Sequence, residues 1–198
     1  FLGNFIEWFD YASYSYFATT IALVFFPTDN HTVAMLQTFG VFALSFILRP
    51  IGALFWGSYG DKKGRKAALA HSIMFMSGAS FLIGCLPSYS VIGVGAPILL
   101  LLLRMVQGFS ASGEYAGAAT FLGEYAPTSK RGIYCSLIPA STAIGLLAGS
   151  TLATLMAANM NSSAMVGWGW RVPFLLAGPF GLIVLYIRAK LADSPVYQ

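Results

Sequence analysis

Six apolar stretches, at about 3–26, 33–58, 67–86, 96–121, 133–158 and 172–189, are each long enough to cross a lipid bilayer. A hydrocarbon core of roughly 30 Å needs about 20 apolar residues in helical form. Backbone polar groups inside lipid must also find their partners within the spanning structure, which leaves helices or a closed barrel. Runs of this length predict an all-α membrane protein built as a six-helix transmembrane bundle. Hydrophobic residues make up 57% of the chain and charged residues 9%, against about 45–50% and about 25% in soluble domains. The mean hydropathy of +0.72 points the same way.

The breaks between the stretches have a chemical basis. Pro27-Thr28-Asp29-Asn30 stops the first helix and offers caps to the second. Pro87-Ser88-Tyr89-Ser90 and Pro97 bracket the third connection, and Ala126-Pro127-Thr128-Ser129-Lys130-Arg131-Gly132 forms the fourth. A polar, Gly-containing stretch at 159–169 precedes the sixth span. Lys62, Lys63, Arg65, Lys66, Lys130, Arg131, Arg188 and Lys190 then fall on one side, while the opposite side has only Arg171, at the mouth of the sixth span. Basic loops mark the cytoplasmic face, so both ends of the bundle are expected inside. A pI near 9.1 would point to nucleic acid in a soluble chain. Here topology accounts for it, and no nucleic-acid partner is expected.

Cys85 and Cys135 lie in apolar runs and read as buried, inert thiols. His31 and His71 fall in separate regions, so neither a metal site nor a catalytic centre is expected.

Several ionisable residues sit deep inside the spans. Each carries at least about 2.5–3.5 kcal/mol of insertion penalty near a helix centre, and is a functional candidate on that ground. Glu7 and Asp10 belong to span 1, Arg49 to span 2, Arg104 and Glu114 to span 4. At 100° per residue, Asn4, Glu7, Asp10, Tyr11 and Tyr14 share one face of span 1. Such a stripe should face a cavity or partner helices, and serves equally as a structural network or a proton-responsive site. Arg49 lies at about the level of Glu7 and Asp10, where an ion pair would ease the burial of both charges; a structural role and direct substrate contact stay open. Arg104 has no carboxylate one turn away, so its partner must come from another helix or a ligand. It shares a face with Gln107, Gly108 and Ala111. Gly108 and Gly113 allow close backbone approach, and Gly145-x-x-x-Gly149 on span 5 reads as a packing seam.

The segment Gly57-Ser58-Tyr59-Gly60-Asp61-Lys62-Lys63-Gly64-Arg65-Lys66 is expected to be a tight cytoplasmic loop. Its pattern G-x-x-x-D-x-x-G-R-[KR] resembles the loop between helices 2 and 3 of the major facilitator transporters. Gly3-Asn4…Glu7-Trp8-Phe9-Asp10, Arg49-Pro50-Ile51-Gly52, the R-x-x-Q-G…G-E run from Arg104 to Glu114, and Trp168-Gly169-Trp170-Arg171-Val172-Pro173-Phe174 resemble the metabolite:proton symporter family of that superfamily. Span 5 lacks the Gly-Pro pair usual in antiporters of the superfamily, because Pro139 does not follow a glycine.

That resemblance implies the N-terminal half of a twelve-helix transporter, with 191–198 opening the central cytoplasmic linker and a second six-helix half missing. It implies import of a small carboxylate-bearing solute with a proton. Proline or betaine is the closest type, with α-ketoglutarate, citrate and shikimate as alternatives. The proton gradient would supply the energy, with no cofactor, in a bacterial inner membrane and with the N-terminus cytoplasmic. The expected coupling and cavity residues are Glu7, Asp10, Tyr11, Tyr14, Arg49, Arg104, Gln107 and Glu114. Gly57, Gly60, Asp61, Gly64, Arg65 and Lys66 would form the gate, with Asp61 and Arg65 as its brace. The rival reading is a non-transporting membrane sensor on the same fold.

Overall fold

The protein is described here by a computed structural model covering residues 1–190; the expected linker at 191–198 lies outside the described residues. Helix α1 (Leu2–Tyr16) runs into α2 (Ala18–Phe25) with little interruption. The Phe17 N–H donates to Ser13 at 3.0 Å and the Phe17 carbonyl accepts from Ile21 at 2.8 Å, so the hydrogen-bond ladder carries across the joint. Asn30 then caps α3 (His31–Ile47), its side chain accepting from the Thr32 and Val33 N–H groups. Helix α4 (Arg49–Lys63) follows after a pause at Leu48, beside Pro50, which brings no N–H to the ladder.

The next helices are α5 (Arg65–Cys85), the short α6 (Tyr89–Ile92) and α7 (Gly95–Tyr125). A 3₁₀ turn at Thr128–Lys130 leads into α8 (Arg131–Asn159), and a short α9 (Ser162–Ala164) with a π turn at Met165–Gly169 leads into α10 (Arg171–Lys190). No strand occurs among the described residues. Among the described residues, five helical segments are long and apolar enough to cross a membrane: His31–Lys63, Arg65–Cys85, Gly95–Tyr125, Thr128–Asn159 and Ser162–Lys190. The rod α1–α2 runs beside them, split at Phe17 into pieces of 15 and 8 residues.

Small residues let the rods approach. A Cβ on Gly108 of α7 would run into the Ser45 carbonyl of α3. On α8, a Cβ on Gly145 would lie 2.7 Å from the Phe5 carbonyl oxygen and one on Gly149 2.7 Å from the Ala12 Cβ, so these two glycines form the seam against α1. Helix α7 packs on α3, α4 and α5, α5 packs on α10, and α1 on α8. Tyr14, Phe17, Ile21, Phe25, Ile83, Leu100, Trp170 and Phe174 form one buried cluster. Outward faces carry exposed Leu36, Leu54, Leu147 and Leu182. This inversion of the soluble pattern is what a lipid solvent allows.

Two expectations are corrected. Residues 57–63 are not a loop: they continue α4, and only Gly64 (φ 97°, ψ 145°) stands between α4 and α5. Glycines and charges signal loops in soluble chains, but here α4 simply extends past the apolar run. The thiols are free, yet Cys85 is exposed and Cys135 half-buried, because apolar segments of this bundle present much of their surface outward.

Candidate functional site

Helix α1 is wrapped on nearly every side: Asn4, Glu7, Asp10, Tyr11 and Tyr14 are all buried. The stripe they form spans a wide arc of the helix, so its members reach different neighbours rather than one cavity. Asn4 Nδ2 donates to Ser141 Oγ and Thr142 Oγ1 of α8, each at 2.8 Å. Glu7 and Tyr11 turn to Arg49, and Asp10 turns to α5 and α7.

Asp10 accepts from three side chains on two other helices. Arg104 Nη1 donates to its Oδ2 at 2.6 Å, and both residues are no more than 5% exposed. Ser80 Oγ of α5 donates to Oδ1 at 3.0 Å, and Gln107 Nε2 of α7 reaches the same oxygen at 3.3 Å. Gln107 Nε2 also donates to Ser80 Oγ, which closes a triangle over Asp10. The Arg104 guanidinium stacks 4.0 Å from the Tyr14 ring centroid, and Phe174 of α10 lies 5.5 Å away. Tyr14 is itself fixed by donation to the Thr38 carbonyl of α3 at 2.8 Å. Arg104 Nε and Nη2 and Gln107 Oε1 are buried without a hydrogen-bond partner among the described residues. The site thus has spare donors and one spare acceptor around a single ion pair.

The second centre lies one helical turn away along α1. Arg49 Nη2 donates to both Glu7 Oε1 and the Tyr11 hydroxyl. Its guanidinium stacks 4.6 Å from the Phe46 ring centroid and 5.2 Å from that of Tyr11. Glu7 is sealed in while the Arg49 side chain is 27% exposed, so this pair reaches the surface of the bundle and the Asp10 pair does not.

Glu114 joins neither centre. Both of its oxygens are taken by Arg188 of α10, and Ser72 of α5 donates to Oε2 at 3.3 Å. Arg188 counts among the topological charges of the sequence; its fork geometry matches a carboxylate in a bidentate way and ties α7 to α10. Asp61 and Arg65 pair at 2.9 Å across the Gly64 junction, with Asp61 65% exposed. Lys66 and Gly57 belong to α5 and α4 respectively, and Gly60 packs beside Arg65.

Ser80, Ser72 and Thr38 were not legible as site residues. A lone hydroxyl on an apolar helix has no signature, and only the partner across the bundle gives it meaning. Arg171 is another structural partner: its Nη1 donates to the Gly84 carbonyl at 3.1 Å and to that of Leu86, capping the end of α5.

An open groove of about 570 Å³ lies between α1, α3 and α8, lined by Trp8, Tyr11, Tyr16, Phe42, Phe46 and Leu146 among others. That volume falls within the range of small-molecule sites. Among the described residues no cluster of histidine, cysteine or carboxylate residues is arranged to hold a metal ion.

Apolar helices enclosing buried, cross-helix ion pairs define a multi-pass membrane protein of the transporter fold class. The chain belongs to the sugar (and other) transporter family of the major facilitator superfamily, whose match runs over residues 1–198. It is 43% identical over 197 residues to the proline/betaine transporters of Salmonella typhimurium and Escherichia coli, covering 100% of this chain and 39% of each relative. It is 44% identical over 197 residues to the glycine betaine/proline/ectoine/pipecolic acid transporter OusA of Dickeya dadantii, again 100% of this chain and 39% of the relative. The chain therefore spans about two fifths of the length of these relatives. Its fold is that of the xylose transporter XylE from E. coli in a partially occluded inward-open conformation, with a TM-score of 0.88, 19% identity, and 99% of this chain and 47% of that one covered. At that identity the likeness carries the fold alone.

Proposed function

We propose that the chain forms the N-terminal membrane half of a symporter that carries a small zwitterion of the proline or betaine type into the cell together with a proton. The observation that carries this reading is the Asp10–Arg104 pair, buried between α1 and α7 and braced by Ser80 and Gln107. Separating a carboxylate from its cation in a dry site favours its protonated form. A bundle whose two halves rock about the midplane would make and break that pair in each cycle. Proton and solute then favour the same state, which is the thermodynamic content of symport. Asp10 is the proton-responsive group, with Arg104 as its counter-charge. Glu7, Tyr11 and Arg49 lie where solute would meet the bundle surface.

The names of the relatives support the solute class, and the solute site is completed by a second six-helix half. The basic end faces the cytoplasm of a bacterial inner membrane, where Asp61 and Arg65 brace the junction between α4 and α5. The energy source is the proton gradient.

The test is uptake of labelled proline, glycine betaine, α-ketoglutarate and citrate by the full-length protein in proteoliposomes, with and without an inward proton gradient. Gradient-dependent accumulation of proline or betaine is expected. Accumulation of a di- or tricarboxylate instead would change the solute class, and no flux of any solute would return the fold to a sensor or scaffold.

A further inference from the structure

We propose that Ser80 and Gln107 position the proton on Asp10 as a reversible hydrogen-bond chain, directed toward the carboxylate when it is charged and away from it when it is neutral. The proposal rests on the transport reading, in which Asp10 changes protonation, and supplies the groups that let it do so inside the bundle.

A buried carboxylate and a buried carboxylic acid make opposite demands. The ion only accepts, whereas the acid brings an O–H that needs an acceptor of its own. The chain stands set for the ion. Arg104 Nη1 donates to Asp10 Oδ2 at 2.6 Å, and Ser80 Oγ donates to Oδ1 at 3.0 Å. Gln107 Nε2 donates to the same Oδ1 at 3.3 Å and to Ser80 Oγ. Ser80 is 0% exposed, Gln107 3% and Asp10 5%, so these groups must satisfy one another. One acceptor of the cluster is left over: Gln107 Oε1 is buried with no hydrogen-bond partner among the described residues.

That orphan is what the neutral state needs. A proton arriving from the gradient binds Asp10 Oδ1, and the new O–H donates to Ser80 Oγ. The Ser80 hydroxyl hydrogen then turns to Gln107, whose amide swings over about its last bond and sets Oε1 where Nε2 now meets Ser80. One O–H bond forms on the carboxylate, and elsewhere only hydrogen bonds change. A serine hydroxyl suits the middle of the chain because it donates and accepts at once. A primary amide suits its end, because half a turn exchanges donor for acceptor at one place. Either way one end of the amide stays unpaired, an acceptor while Asp10 is charged and a donor while it is neutral. Neither residue ionises, so the chain reverses without adding charge.

The charged groups around Asp10 leave this task to the two neutral side chains. Arg104 of α7 is its counter-charge, stacked on Tyr14, whose hydroxyl goes to the Thr38 carbonyl of α3. Glu7 and Tyr11, one turn away, share Arg49. On α5, Arg65, Lys66 and His71 lie at least about two turns from Ser80. Helix α8 carries no charge beyond Arg131 at its start. On α10, Arg171 is held by the Gly84 and Leu86 carbonyls and Arg188 by Glu114.

The experiment is infrared difference spectroscopy, acid minus neutral pH, on the full-length transporter in vesicles of phosphatidylethanolamine and phosphatidylglycerol. The carbonyl stretch of protonated Asp10 is the band that Asp10→Asn removes. In Ser80→Ala the acid O–H is left only the longer contact to Gln107, so this band is expected to move to higher frequency. Adding Gln107→Met should move it further, while Ser80→Thr, which keeps the hydroxyl, leaves it in place. Proton-driven uptake of labelled proline should fall about tenfold relative to counterflow in Ser80→Ala and in Gln107→Met, because the neutral state then holds an unsatisfied buried group. A band unmoved in Ser80→Ala would make the two residues a static brace and overturn the proposal. So would an unchanged ratio of uptake to counterflow in both single variants. If Asp10→Asn removes no band while the wild type still shows proton-driven uptake, the proton sits elsewhere, and the chain falls together with the role of Asp10. A band moved by Ser80→Ala without proton-driven uptake of any solute would sink the transport reading and leave the chain standing.

Discussion

Arg104 and Gly108 sit one turn apart on α7 and make opposite demands on substitution. Gly108 has no room, because its absent Cβ is where the Ser45 carbonyl lies. Gly108→Val is expected to cost at least about 1–3 kcal/mol by overpacking, read as a fall in apparent melting temperature or in yield of monodisperse protein. Gly57, by contrast, has nothing within 4 Å of its would-be Cβ. Gly57→Ala should leave stability unchanged or raise it by up to about 1 kcal/mol through helix propensity. If the two variants melt alike, close approach of α7 to α3 is not what Gly108 supplies. At Arg104 the demand is chemical. Its guanidinium combines a carboxylate contact with a stacked aromatic ring, and a lysine ammonium has no plane to stack. Arg104→Lys should therefore abolish gradient-driven uptake at matched expression; uptake near wild type would show that a point charge suffices.

The same residues show what a sequence discloses at this scale. The insertion penalty singled out Glu7, Asp10, Arg49 and Arg104 and required Arg104 to find a partner on another helix, because an unpaired charge in lipid is too unfavourable to leave unexplained. It said nothing of Ser80, a neutral hydroxyl among many, nor of the bidentate role of Arg188, which was indistinguishable from the basic residues that set topology.

Among the elements, the α4–α5 junction is the informative one. It compresses to a single residue, Gly64, whose φ of 97° and ψ of 145° belong to a region that side chains avoid. Gly64→Ala should cost on the order of 1–3 kcal/mol and lower the melting temperature accordingly. An unchanged midpoint would mean the junction relaxes to another conformation. Asp61 and Arg65 straddle this joint, and Asp61 is mostly exposed. An exposed pair contributes about 0–1 kcal/mol, so stability cannot be its main purpose. Under the proposed brace role, Asp61→Asn is expected to insert and fold normally but lose transport. Wild-type flux in that variant would reduce the segment to a basic helix end. Helix existence was legible here from apolar length, and the boundaries were not. Glycine and charge density argue for a loop in water, whereas the cytoplasmic end of a membrane helix runs on past the bilayer surface with the same residues.

For the whole molecule, two properties follow from the placement of charge. The first is orientation. Basic residues on one side predict a cytoplasmic Lys63 and an external Ser162. An impermeant thiol reagent on intact cells should label a cysteine substituted at Ser162 and spare one at Lys63; equal labelling would contradict the topology.

The second is coupling, which no residue possesses alone. Asp10 is held by groups from α5 and α7, which is the arrangement the proposed coupling needs, since repacking those helices would change the partners of the carboxylate. Asp10→Asn keeps the size and hydrogen-bonding reach of the side chain but removes its titration. The decisive measurement compares proton-driven accumulation with solute counterflow for this variant in proteoliposomes at matched protein density. Accumulation should vanish while counterflow persists. If the Asp10→Asn protein still concentrates solute in response to a proton gradient, the coupling site lies elsewhere and the Asp10–Arg104 pair is structural.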